Sequence, residues 1–156
     1  MDRFYVERVK YLKDGTIKKS EQMDYGTQKE AETKFYKNVG DDMSDDTLCG
    51  SLNVILNSIG GQVEKKFWKN DDAVIPEIYF VARVKEKKDG SYKKSEIMDY
   101  ETKLEATAKV HSNIGTDMID DTLQGSMSTA IDNEGNKVYR SYWDLSQYLP
   151  PESEAE

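Results

Sequence analysis

Two short stretches carry the densest carboxylate chemistry in this chain. They are Asp42-Met43-Ser44-Asp45-Asp46-Thr47 and Asp117-Met118-Ile119-Asp120-Asp121-Thr122, both of the pattern Asp-Met-x-Asp-Asp-Thr. Clustered carboxylate oxygens are the hard ligands that Ca²⁺ and Mg²⁺ take. The spacing is not that of an EF-hand loop, whose central glycine is also missing, so no metal is expected. The same side chains serve two other purposes. Asp in a turn accepts backbone amide protons, and fixed negative charges occupy a basic groove built for phosphates. Asp42, Asp45, Asp46, Asp117, Asp120 and Asp121 are therefore candidate partner-binding residues. Trp68 and Trp143 join them, since tryptophan is enriched at binding hot spots. In a small module the same residue also serves as a core anchor.

Nucleophilic chemistry has little to work with. His111 and Cys49 are the single histidine and the single cysteine, and neither lies in a recognisable motif. Zinc needs more Cys or His ligands than these. There is no Gly-rich phosphate loop, no G-x-S-x-G and no dinucleotide fingerprint. No catalytic residue, cofactor or metal is expected, and the chain reads as a non-enzyme. Lys18-Lys19 and Lys93-Lys94, beside Lys10, Lys13, Lys85, Lys87 and Lys88, read first as protection of exposed strand edges. An anion- or nucleotide-binding strip is the sharper alternative.

The net charge of −8 and the pI near 4.8 disfavour direct binding to phosphate backbones or anionic membranes. With 33% charged and 10% aromatic residues, the composition is that of a soluble globular protein rather than a disordered one. One cysteine excludes an intramolecular disulfide and fits a reducing compartment. No apolar run approaches a membrane span and no signal-type amino terminus is visible. The expected location is the cytoplasm.

The elements that must position these residues come twice. Shifted by 75 positions, 4–69 align without a gap on 79–144, with 31 identities in 66 positions. A fixed-period repeat dictates architecture before any other signal. Each copy opens on an aromatic, β-branched run, and Asp14-Gly15 or Asp89-Gly90 leads into a second run, which predicts a hairpin on a type I′ turn. Thr27-x-x-Glu30 and Thr102-x-x-Glu105 are capping boxes. The spacing of Ala31, Phe35 and Val39, and of Ala106, Val110 and Ile114, predicts a helix of three to four turns ending at Gly40 or Gly115. After the acidic connection, Leu48, Gly50, Leu52, Val54 and Leu56 alternate as a strand with one buried face, and a return strand ends at Trp68 or Trp143.

The expected fold class is α+β: two tandem β-β-α-β-β repeats, each an antiparallel four-stranded sheet with one helix on one face. The first repeat is placed at 1–69, a polar linker at 70–77, the second repeat at 78–144 and an acidic tail at 145–156, onto whose body Leu145, Tyr148 and Leu149 are expected to dock. One copy alone is near the lower size limit for a stable core. Strict alternation puts Phe4, Val6, Ile55 and Trp68 on the face away from the helix, which needs a cover. The other copy is the nearest cover, and a second chain, giving a homodimer, is the next. Identities are dense over 4–51 (28 of 48) and sparse over 52–69 (3 of 18). The final hairpins, Leu52–Trp68 and Met127–Trp143, are thus where an asymmetric site is expected.

Phe4-Tyr5-Val6, Asp14-Gly15, Thr27–Gly40, Leu48–Leu56 and Phe67-Trp68, with their second-copy equivalents, resemble a class of short phage-encoded proteins of unassigned activity. The resemblance implies a phage or mobile-element origin and carries over no catalytic residue. Together with small size and acidity it leads to the expectation of an accessory factor. Such a factor binds and inhibits a host defence protein, itself a nucleic-acid binder, through an acidic surface that imitates nucleic acid. A virion or assembly protein and a nucleotide-binding sponge are the alternatives.

Overall fold

The structure is a computed structural model and describes residues 3–20, 22–94 and 97–148. The amino-terminal half runs β1 (Phe4–Leu12), β2 (Ile17–Lys19), β3 (Met23–Tyr25), α1 (Gln28–Met43), β4 (Leu48–Asn57) and β5 (Gln62–Lys69). The other half runs β6 (Tyr79–Lys87), β7 (Tyr92–Lys94), β8 (Met98–Tyr100), α2 (Lys103–Met118), β9 (Leu123–Asp132), β10 (Lys137–Asp144) and a 3₁₀ turn, Leu145–Tyr148. The fold is mixed α+β, with two antiparallel sheets ordered β2-β1-β4-β5 and β10-β9-β6-β7. The second expected strand of each half is split. β2 and β3 both pair with β1, and β7 and β8 both pair with β6.

The hairpin turn differs from the expected type I′. Gly15 takes φ +91 and Gly90 φ +89, but no non-glycine residue among those described has positive φ. Gly15 N donates to Leu12 O at 3.0 Å and Leu12 N to Thr16 O at 2.9 Å. This is a type I turn closed by a left-handed glycine. Asp14 Oδ1 accepts from Thr16 N at 2.9 Å, so the aspartate serves the turn with its side chain and keeps negative φ. Thr27 and Thr102 cap the helices, accepting from Glu30 N at 3.2 Å and Glu105 N at 3.1 Å. Both helices run past the expected glycines to Met43 and Met118. Their last turns are anchored through Asp42 and Asp117 to arginines on the sheets, and that tertiary tie outweighs the glycine stop signal.

The face assignment is the reverse of the alternation reading. Val6, Ile55 and Phe4 lie under α1 with Ala31, Phe35 and Val39. Trp68 pairs with Ser51, two residues from Asn53, which reaches Asp42 of α1, so it shares that face. The opposite face carries Tyr5, Val9, Tyr11, Leu52, Val54 and Leu56. It packs on Phe80, Ala82, Val84, Ile97, Met127 and Ile131 of the other sheet. The layers are therefore helix, sheet, sheet, helix. Because both faces of β4 are covered, eight of its ten residues are buried rather than every second one.

The seam between the sheets is reciprocal. Lys19 pairs with Asp99, and Lys94 pairs with Asp24 at 2.7 Å. Those are the same two positions exchanged through the 75-residue shift. Likewise the Gly60 turn abuts Thr129, and the Gly135 turn abuts Leu52 and Val54. Reciprocal contacts of this kind define a pseudo-twofold axis and not a translation. Leu145 packs beside Ile114, Leu123 and Trp143. From 149 onward the acidic tail, with Leu149, lies outside the described residues, as does the Tyr148 side chain.

Candidate functional site

Each acidic connection sorts its three aspartates into three environments. Asp42 is buried, and Arg8 grips it with two nitrogens, Nε to Oδ2 at 3.3 Å and Nη2 to Oδ1. Asn53 Nδ2 donates to the same Oδ2 at 3.2 Å. Asp117 is held in the same way by Arg83, with Nε to Oδ2 at 3.2 Å. A bidentate guanidinium–carboxylate pair fixes direction as well as charge, so these two aspartates tie the helix ends to β1 and β6. Neither presents its charge to a partner.

Asp45 and Asp120 make the turns. Asp45 Oδ1 accepts from Thr47 N at 2.9 Å and from Thr47 Oγ1 at 2.6 Å. Asp120 accepts from Thr122 N and Oγ1 at the same distances. These bonds hold both carboxyls below their ordinary range, because donors to a carboxylate favour its charged form. Asp46 and Asp121 are exposed. The outward charge of each connection is thus one turn-fixed, partly exposed carboxylate and one free carboxylate. No cluster of three or more His, Cys, Asp and Glu among the described residues has the geometry to hold a metal.

The tryptophans take different roles in the two halves. Trp68 is half-buried, while Trp143 is buried against Ile114, Leu123 and Leu145. An open depression of about 280 Å³ brings Trp143 together with Asp120 and Asp121, and with Lys88, Met118 and Leu145. Met118 in its lining is an exposed apolar residue, and the next residue in the chain, Ile119, is 82% exposed. Three of the expected binding residues of the second half therefore share one surface. Cys49 and His111 are not brought together. Cys49 is half-buried beside the seam, with Sγ 3.6 Å from Leu12 O. His111 stacks on Tyr139 at the outer helix, with ring centroids 4.8 Å apart.

A second cleft, of about 140 Å³, opens at the rim of the seam between Ile59, Tyr5, Tyr92, Glu86 and Tyr142. It lies where the pseudo-twofold breaks. In the other half, the positions of Glu86, Tyr92 and Tyr142 are held by Tyr11, which is in the seam core, and by Ile17 and Phe67, which pack against it. There Tyr11 meets Phe67 edge-on at 6.4 Å and donates to Asn133 O at 2.7 Å. The low identity of the final hairpins pointed to this region. The contribution of Glu86, on a strand of the better-matched part, had no sequence signal, because facing pairs across a seam are invisible in one chain.

Comparison with known proteins finds no matching family model, no matching curated protein and no matching solved structure. The class of protein is therefore defined by fold alone: a mixed α+β chain with two antiparallel sheets and two helices. No helix among the described residues is long and apolar enough to cross a membrane.

Proposed function

We propose that this chain is a non-enzymatic binding protein, an accessory factor of phage or mobile-element origin acting in the host cytoplasm. It binds and inhibits a host defence protein by offering carboxylates where that protein expects phosphates. We read its two halves as β-β-α-β-β units from one tandem duplication.

The observation that carries this proposal is the pair of acidic connections. Each displays one exposed carboxylate and one held ionised by a threonine. Gln62 reaches Gly135 O at 2.5 Å and Thr129 reaches Gly60 O at 3.0 Å. Each turn therefore lies against the partner sheet, and Ser58 and Ile59 at the end of β4 share a cleft with Gly125 and Ser126 at the start of β9. β4 and β9 thus run oppositely across the seam and place the connections at opposite ends. A ten-residue strand spans roughly 33 Å, and β9 begins about two residues beyond the shared cleft, so the two acidic ends stand on the order of 40 Å apart. That is somewhat more than one turn of duplex DNA, about 34 Å. A basic groove longer than one turn meets both.

The test is capture of host proteins on the immobilised full chain, coupled to an interference assay in cells that express it. The expected result is a salt-sensitive complex with a nucleic-acid-binding protein and loss of that protein's activity. No salt-sensitive partner together with unchanged interference overturns the proposal.

A further inference from the structure

Among the described residues, Glu7 is the one acidic side chain buried in the seam between the sheets. It is 2% exposed, on the β1 face that carries Tyr5, Val9 and Tyr11. Around it stand Val9, Leu52, Phe80, Ala82 and Ile97, lining a void of about 10 Å³. That is at the lower limit for holding one water, and the walls are almost wholly apolar. Among the described residues its hydrogen-bond partner is Gln22, itself 2% exposed, whose Nε2 donates to Glu7 Oε1. The other oxygen of each group, Glu7 Oε2 and Gln22 Oε1, is buried without a donor. Two orphaned acceptors on one buried pair are costly. A single proton removes both. Placed on Oε2, it lets Glu7 donate to Gln22 Oε1 while Gln22 Nε2 donates to Oε1, which closes a two-bond acid–amide ring.

We propose that Glu7 is carried as the neutral acid in such a ring with Gln22, and that this ring is a proton-dependent latch on the seam. The pseudo-twofold partner positions are Ala82 and Ile97, so the latch is one-sided: one half brings acid and amide, the other brings an apolar wall. Among the described residues the charged groups near it are few. Lys94 of β7 favours the ionised form, but its ammonium is already on Asp24 at 2.7 Å. Tyr5, two residues along β1, is held protonated by burial. The facing residues of the other sheet at the void, Phe80, Ala82, Ile97, Thr129 and Ile131, carry no charge. α1 lies on the opposite face of β1. Burial without a charge partner favours the protonated carboxyl, and it pushes Glu7 up to about 8.

Between the unfolded glutamate value, ~4.3, and the folded value, the native state holds a proton that the unfolded state has released. Stability is then greatest at low pH within this window and falls as pH rises, with the unfolding constant growing about tenfold per pH unit. Above the folded value the loss is complete. Asp45 and Asp120, held low, titrate below the window, and Tyr5 and Tyr11, raised by burial, titrate above it.

The experiment is a carboxyl ¹³C NMR titration of the full chain, paired with urea unfolding at pH 5.5, 6.5 and 7.5. The variants are Glu7→Gln, which keeps a two-bond ring without a titrating group, and Glu7→Ala with Gln22→Ile, which copies the other half's own pair. The expected result is a Glu7 carbon that shows the acid form at pH 6. The wild-type unfolding constant rises about tenfold per pH unit relative to both variants. A Glu7 carbon already ionised at pH 6, or a variant with the wild-type pH dependence, overturns the latch.

Discussion

The seam between the two sheets makes a quantitative prediction through four glycines. Gly15, Gly60, Gly90 and Gly135 all take φ between +82 and +91. An alanine at any of them bears the same backbone cost, about 1–2 kcal/mol for a left-handed L-residue. Their surroundings differ. A Cβ on Gly15 or Gly90 meets nothing within 4 Å, whereas on Gly135 it meets Leu52 Cδ1 at 2.5 Å and Val54 Cγ2 at 3.3 Å. Those atoms belong to β4 of the other half, buried in the seam. Forcing a methyl into such packing costs roughly 1–3 kcal/mol more. Gly135→Ala is therefore expected to lose about 2–5 kcal/mol and Gly90→Ala about 1–2 kcal/mol. At about 2–4 °C per kcal/mol for a chain of this size, the Tm difference between the two is several degrees. Gly60→Ala, which faces Thr129, pairs with Gly15→Ala in the same way. The assay is urea and thermal unfolding of the four single variants. Equal losses within each pair refute face-to-face packing of the sheets, since only that packing distinguishes the turns.

Three further outcomes follow from individual side chains. Asp42→Ala strands the Arg8 guanidinium and leaves Asn53 without its acceptor, and is expected to cost about 3–5 kcal/mol in urea unfolding. Thr27→Ala and Thr102→Ala each remove a helix cap and are expected to cost about 1 kcal/mol, additively, because the two helices lie on opposite sides of the molecule. Asp46→Asn with Asp121→Asn touches only exposed carboxylates, so stability stays within about 0.5 kcal/mol while partner affinity falls.

How much the sequence revealed depends on whether the deciding partner was local. Thr27 and Glu30 lie one helical turn apart, so the cap was legible, and Gly15 marked its turn. The turn type was not legible, because Asp14 serves it through the carboxylate rather than through its own φ. Gly40 misled for a different reason: the helix end is held by Arg8, 34 residues from Asp42. The inverted faces have the same origin. Val6 and Tyr5 are both apolar, and only the second sheet decides which of them looks at a helix. In the candidate site, Asp42, Asp45 and Asp46 are chemically alike in sequence. One is buried under an arginine, one is folded into a turn, and one is free. Glu7 is the sharpest case. It reads as an ordinary polar residue of an alternating strand, and its burial appears only when Ala82 and Ile97 are placed opposite it.

The proposed activity rests on outward carboxylates at both ends of the body, and a charge-only variant tests it most directly. Asp45→Asn, Asp46→Asn, Asp120→Asn and Asp121→Asn together keep the side-chain oxygens that Thr47 and Thr122 bond, but remove the charge. The measurement is host interference against an incoming phage in cells expressing wild type or this fourfold variant, with both proteins confirmed folded. The account predicts that wild type abolishes interference and that the variant restores it. Equal activity of the two, or no effect of wild type, contradicts it.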